Sequence, residues 1–131
     1  ASARHGYLAT ADADGRPHVV PVTFALGPGS DVVVIAIDHK PKSTHNLRRL
    51  RNIEVNPRVS VLVDQYDDED WTRLWWARAD GTARVLADGA DRERALDELV
   101  ARYPAYQVQR PAGPVIWIDI DAWRGWAYSD R

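Results

Sequence analysis

The sequence predicts a mainly β protein (α+β) of one domain, residues 1–131, built as an antiparallel barrel of six or seven strands with two helices inserted. Three observations support this prediction. Short apolar or alternating segments are separated by turns rich in Gly, Pro and Asp. Helical periodicity is present in only two stretches. The length of 131 residues suits a single domain with a core of its own.

The first predicted element is a β-hairpin. Residues Tyr7 to Ala11 form a short apolar segment, and Asp12 to Pro17 supply turn chemistry, because Asp and Gly tolerate positive φ. The extended pattern resumes from His18 to Leu26. Pro21 inside that run lacks an N–H for a central ladder, so it indicates an edge strand or a bulge.

A buried strand and a helix are predicted next. After the turn Gly27–Asp31, residues Val32 to Ile37 are apolar at every position, which indicates burial on both faces. A helix capped by Ser43 or Thr44 is then expected to continue to about Glu54. The dipeptide Asn56-Pro57 that follows is a helix stop.

Two further strands are predicted in the middle of the chain. Alternation from Arg58 to Asp64 indicates a half-buried strand. The aromatic composition of Trp71–Asp80 indicates another, and Gly81-Thr82 is read as the turn of a hairpin that returns through Ala83–Ala87.

The second helix and the last strand complete the predicted fold. Asp88 or Asp91 is expected to cap the helix, and Pro104 to end it. Its predicted apolar stripe is Ala95, Leu96, Leu99, Val100 and Tyr103. In the C-terminal strand or strands, one face is expected to carry Val115, Trp117 and Asp119, and the other Ile116, Ile118 and Ile120.

Composition excludes several classes of function. A net charge of -2 and a pI near 6.1 argue against a nucleic-acid binder. No apolar run reaches the roughly 20 residues of a membrane span, so no membrane partner is expected. With no cysteine there are no disulfides and no cysteine nucleophile. This, and the absence of a signal-peptide pattern, fits a cytoplasmic protein.

Positive charge is concentrated in one stretch, from Asp38 to Pro57. It holds both lysines of the chain, Lys40 and Lys42, as well as Arg48 and Arg49. A strand end followed by lysines and hydroxyl side chains at a helix start is an anion site in outline, since the helix N-terminus offers free N–H groups. The alternative is a charged helix that only faces water.

Two other groups of residues are candidates for binding. The six tryptophans suit either core and subunit-interface packing or a wall for a flat heteroaromatic ring. Trp75 and Trp76 are adjacent on a predicted strand and therefore point to opposite faces. The carboxylates of Asp67–Asp70 lack the spacing of a calcium loop, and the four histidines lack metal-ligand spacing, so no metal site is predicted.

Three segments together resemble the pyridoxamine 5'-phosphate oxidase-like, flavin-binding split-barrel family, and in particular its actinobacterial branch of coenzyme F420 (deazaflavin)-dependent oxidoreductases. They are "LATADADGRPHVVPVTF", "KPKSTHNLRRLRNIEVNPRVSVLVD" and "WWARADGTARVL". The resemblance implies a split β-barrel (FMN-binding split barrel), a homodimer, and a cofactor site at the dimer interface.

The resemblance also implies roles for particular residues. Lys40, Lys42, Ser43 and Thr44 would hold the cofactor phosphate, whereas counting back from "NPRV" places Arg48 and Arg49 there instead. Pro21, Val22 and Thr23 would lie under the ring. The neighbouring subunit would contribute Trp75, Trp76 and Arg78.

The implied activity is hydride transfer from the reduced deazaflavin to a small electron-poor organic substrate. FMN is the alternative cofactor, and a non-catalytic flavin-, deazaflavin- or heme-binding module is the alternative function. No catalytic residue is assigned; Tyr66, Tyr128 and His18 are the candidates for a general acid.

Overall fold

The computed structural model describes residues 5–29, 31–37 and 48–128. Its seven strands are β1 Gly6–Ala11, β2 Pro17–Val22, β3 Phe24–Leu26, β4 Val32–Ala36, β5 Arg58–Gln65, β6 Trp75–Leu86 and β7 Val115–Ala127. Its helices are α1 Arg48–Val55, α2 Ala90–Arg102 and α3 Pro104–Val108, with a single 3₁₀ turn at Trp71–Arg73. The strands form one antiparallel sheet in the order β2-β1-β5-β6-β7-β4-β3. This confirms the predicted antiparallel split barrel.

The curl of the sheet follows from its two edge strands. β2 and β3 lie at opposite edges of the sheet, yet only Thr23 separates them in the sequence. The two edges must therefore approach each other at this residue, and we call Val22–Phe24 the seam. Pro21 lies in edge strand β2, as predicted, where a missing N–H costs no central ladder bond.

Buried side chains form two clusters, one on each face of the sheet. The barrel interior contains Leu8, Val22, Val33, Ile35, Ile37, Ile53, Val59, Val61, Ala79, Ala83, Ile116 and Ile118. The second cluster, under α2, contains Ala25, Val32, Val34, Ala36, Ala95, Leu96, Leu99, Tyr103, Val115 and Trp117. β4 and the first half of β7 contribute to both clusters in alternation, as their apolar patterns predicted.

The predicted hairpin at Gly81-Thr82 is wrong, because β6 is one continuous strand of 12 residues. A register shift against β7 lies between Asp80 and Gly81. A Cβ at Gly81 would lie 2.2 Å from the carbonyl oxygen of Asp119. The glycine therefore permits close approach of two strands and is not a turn residue. Trp71, predicted in this strand, lies in the preceding 3₁₀ turn.

The start of the second helix differs from the prediction, whereas its end just before Pro104 agrees with it. α2 has Gly89 at its N-cap, at φ 100°, and no side chain caps it. Asp91 lies in the first helical turn, where its charge favours the positive end of the helix dipole. Pro104 begins α3, since proline suits the first position of a helix. The predicted helix caps Ser43 and Thr44 lie outside the described residues.

Among the described residues, no helix combines the length and the apolarity that a membrane crossing requires.

Candidate functional site

A cavity of about 190 Å³ lies beside the seam. We call it the seam cavity, and its lining residues are His5, Pro21, Val22, Thr23, Ala36 and Arg49. Four of these residues, Pro21, Val22, Thr23 and Arg49, are among those that the sequence predicts to bind a cofactor. The six lining residues include one guanidinium and no carboxylate, so this lining favours an anionic group over a cation.

Helix α1 is anchored so that Arg49 reaches this cavity. The Asn52 side-chain amide donates a buried hydrogen bond to Thr10 Oγ1 of β1, at 3.0 Å. One residue further on, Ile53 is 3 % exposed and lies in the barrel interior. These two contacts hold α1 against β1 and the barrel interior, and Arg49 on the same helix lines the seam cavity.

The environment of His18 reports the electrostatics of this region. Burial, followed by the positive charges of Arg48 and Arg49, lowers the pKa of His18 below its usual value. Its Nδ1 is buried with no hydrogen-bond partner among the described residues. A neutral histidine beside two guanidinium groups indicates a positive local potential, which stabilises a bound anion.

The outward side of β1, β5, β6 and the end of β7, which we call the open face, carries a larger groove of about 570 Å³. Its lining residues are Tyr7, Ala9, Val19, Ser60, Leu62, Asp64, Gln65, Tyr66, Leu74, Trp75, Trp76, Arg78 and Trp126. Trp76 and Trp126 are register partners on neighbouring strands. The Trp126 ring stacks on Tyr128, with centroids 6.5 Å apart. This aromatic lining suits a flat ligand or a second protein surface.

Arg78 is fixed in the groove by an ion pair. Its Nε and Nη2 donate to the two carboxylate oxygens of Asp80 at 2.9 and 3.1 Å, and Ser60 Oγ donates to the same carboxylate at 2.7 Å. The Ser60 hydroxyl and then Arg78 hold the pKa of Asp80 below its usual value. The guanidinium therefore has a defined direction before any ligand arrives.

The seam cavity and the groove adjoin each other. Tyr7, which lines the groove, and Pro21, which lines the cavity, are register partners of β1 and β2. His5 Nε2 lies 3.2 Å from the Tyr7 hydroxyl, within hydrogen-bond distance. One ligand with a charged end and a flat end can therefore contact both parts.

The predicted site residues fall into three groups. Pro21, Val22, Thr23 and Arg49 line the seam cavity, with Arg48 on the same helix; Trp75, Trp76 and Arg78 line the groove. Lys40, Lys42, Ser43 and Thr44 lie outside the described residues. Within those residues, no three His, Cys, Asp or Glu side chains come together as metal ligands would.

The candidates for a general acid lie in different places. His18 lies in β2, near enough to Arg48 and Arg49 for their charges to lower its pKa. Tyr66 borders the groove, and a hydrogen bond to Asp68 raises its pKa. Tyr128 is exposed beside Trp126. None of the three lines the seam cavity.

Sequence patterns missed the two tyrosines that contact the seam. Tyr106 bonds the Thr23 hydroxyl, and Tyr103 bonds the Phe24 backbone. Tyr103 fits the apolar stripe of α2, but the partner of its hydroxyl lies 79 residues away. No local signal identifies such a pair.

Comparison with known families decides the classification of the chain. The family model described as pyridoxamine 5'-phosphate oxidase matches residues 1–127. This chain belongs to that family. A solved structure supports the fold: a conserved hypothetical protein from Mycobacterium tuberculosis superposes with a TM-score of 0.74 at 20 % identity, over 97 % of this chain and 79 % of that one.

Two curated relatives of this pyridoxamine 5'-phosphate oxidase family member differ in what their names describe. A 5a,11a-dehydrotetracycline/5a,11a-dehydrooxytetracycline reductase from Streptomyces rimosus is 31 % identical over 102 residues, 76 % of this chain and 69 % of the reductase. Heme oxygenase HutZ from Vibrio cholerae is 34 % identical over 89 residues, 68 % of this chain. The match spans 45 % of the length of HutZ.

Proposed function

We propose that this chain is an oxidoreductase that binds coenzyme F420 between two copies of itself and reduces a small electron-poor organic substrate. The observation that carries the proposal is the junction of a cationic cavity with an aromatic groove at the Tyr7–Pro21 pair. The family and the reductase relative from Streptomyces rimosus agree with this chemistry.

The side chains of the site fit a flat coenzyme that carries a phosphate. Arg49 offers charged donors to a phosphate oxygen, and Arg48 adds positive potential nearby. Trp76 and Trp126 offer apolar surface to a planar ring, and the groove volume of about 570 Å³ is in the range of small-molecule sites. When bound, the deazaflavin would supply the hydride chemistry. The protein would supply orientation and exclude water.

The proposal of a second copy rests on the apolar side chains that the open face leaves exposed. Leu62, Trp126 and Tyr128 are exposed there beside the fixed Arg78. A second copy of the chain would cover this apolar surface. In such a homodimer, the second copy would close the groove over the ring, and the cofactor site would lie between the two copies.

Two alternatives remain within the same fold. FMN shares the phosphate and the flat ring, so the same residues would hold it. A heme-binding module without turnover is the second candidate, and the HutZ relative favours it. A heme carries two propionate carboxylates in place of a phosphate, and Arg49 would pair with one of them, so Arg49 serves either ligand.

Parallel titration tests these proposals. The purified chain is titrated with F420, FMN and hemin, followed by cofactor fluorescence for the first two and by absorption for hemin. We expect saturable binding of F420 at one molecule per chain, and oxidation of reduced F420 by an enone or quinone. Tighter binding of FMN than of F420 would make FMN the cofactor. Binding of hemin alone would favour the heme-binding module without turnover. Binding of none of the three would contradict the proposal.

A further inference from the structure

The seam is held from outside the barrel by the junction of α2 and α3. The Tyr103 hydroxyl donates to the Phe24 carbonyl at 2.9 Å and accepts from the Phe24 N–H at 3.0 Å. It also accepts from Arg102 Nε at 3.1 Å. The Tyr103 hydroxyl thus acts as both donor and acceptor toward the same residue of β3.

These bonds replace those of a missing strand. β3 is an edge strand, and the N–H and C=O of an edge residue that face away from its neighbour need other partners. Tyr103 supplies both at Phe24. The Arg102 guanidinium lies over the Phe24 ring, 4.7 Å from its centroid, and covers the same residue from another side.

Tyr106 extends this contact to the seam cavity. Its hydroxyl lies 2.8 Å from Thr23 Oγ1, and its ring packs edge-on against Tyr103 with centroids 5.6 Å apart. Thr23 lines the cavity beside Arg49. This hydrogen bond connects α3 with a wall of the candidate phosphate site.

We infer that Tyr106 is a positioning residue: supported by Tyr103, it holds the Thr23 side chain in one orientation in the seam cavity and thereby sets the affinity for a phosphate-bearing cofactor. This inference rests on the proposed function for its ligand. It assigns a role in that site to α3, a helix of five residues none of which lines the cavity. Because the Thr23 side chain is already fixed before binding, it loses little conformational entropy when the ligand binds, which favours binding.

The test uses Tyr106→Phe, which removes only the hydroxyl, and Thr23→Val, which removes its partner. One hydrogen bond is worth about three- to tenfold in affinity, so each variant is expected to bind F420 or FMN weaker by that factor. The double variant is expected to be no weaker than either single one, because both remove the same bond. Thr23→Ser keeps the hydroxyl, so it is expected to lose less affinity than Thr23→Val.

Gln107→Ala is the matched control. Gln107 Nε2 donates to the Val100 carbonyl at 3.2 Å and so attaches α3 to α2 without contacting Thr23. The absorption and fluorescence spectra of the bound cofactor are recorded for each variant, because they report the surroundings of the ring. We expect a changed spectrum in Tyr106→Phe and the wild-type spectrum in Gln107→Ala. Wild-type affinity and spectrum in Tyr106→Phe, or an equal loss in Gln107→Ala, would overturn the inference.

A ligand-free measurement separates this inference from the proposed function. Three-bond NMR couplings of Thr23 are expected to show one rotamer in the wild type and averaging in Tyr106→Phe. If the wild type binds neither F420 nor FMN, the proposed function fails and these couplings alone decide whether Tyr106 fixes Thr23. Unchanged couplings would then overturn the positioning role, and averaged couplings would support it.

Discussion

The outer face of the sheet has two regions, a covered side under α2 and an open side at the groove, and they use similar residues to different effect. Under α2, Leu96, Leu99 and the first half of β7 are buried. Further along β7, Trp126 is 50 % exposed. Burial on the covered side stabilises the fold, whereas apolar groups on the open side gain that free energy only when something covers them. Under the proposed function, the open side gains this free energy when a ligand or a second copy covers it.

The largest expected effect is on the free energy of unfolding. It is measured by making the same Leu→Ala substitution on the covered side and on the open side. Leu99→Ala, at a position with 0 % exposure, is expected to lower the free energy of unfolding by about 2–5 kcal/mol, because it leaves a cavity. Leu62→Ala on the open face, where the side chain is 36 % exposed, is expected to cost less than about 1 kcal/mol in dilute protein. Urea denaturation measures both. Equal losses would remove the distinction between the two sides.

The second prediction concerns self-association. Trp126→Ala is expected to weaken the dimer by about 2 kcal/mol or more, since a tryptophan at the centre of an interface is often a hot spot. Trp71→Ala is the matched control, because Trp71 is 61 % exposed but does not line the groove. Sedimentation over a concentration series measures the dissociation constant. A wild-type chain that stays monomeric at all concentrations would refute the open-face dimer.

The third prediction concerns the positive charge at the seam cavity. Arg49→Ala is expected to weaken F420 or FMN binding by about 1.5–3 kcal/mol, the range for a hydrogen bond to a charged group. Arg51→Ala, an exposed position on the same helix, controls for the loss of one positive charge. Titration of Lys40→Ala and Lys42→Ala in parallel decides between the two basic pairs. Unchanged affinity in Arg49→Ala, with loss in the lysine variants, would move the phosphate site.

The smallest expected effect is a change in the pKa of His18 when a ligand binds. In the ligand-free protein the pKa of His18 is lowered by burial and by Arg48 and Arg49. Because the folded-state pKa lies below the unfolded value of about 6.5, the unfolded chain binds the proton more readily, and stability falls as pH drops below about 6.5. A bound phosphate group offsets the arginine charges, so NMR titration with FMN or F420 is expected to show a higher His18 pKa. A value that the ligand leaves unchanged would place the anion elsewhere.

Local sequence patterns predict much of the packing under α2. They do not predict contacts between residues that are far apart in the chain. The stripe of α2 and the alternation of β7 are set by short-range periodicity. In the sequence, Gly81 has the features of a turn residue. Its contact with the Asp119 carbonyl forms only when β6 and β7 pair, so no local pattern shows it. Likewise, Arg49 reaches the seam cavity only because Asn52 and Ile53 anchor α1. Such contacts join residues far apart in the chain.

A crystal structure of the chain with F420 or FMN bound tests the central claim most directly. We predict a dimer in which the phosphate lies beside Arg49 in the seam cavity and the ring lies on the open face against Trp76 or Trp126. A ligand bound at a different surface, or a monomer whose open face contacts only solvent, would contradict it.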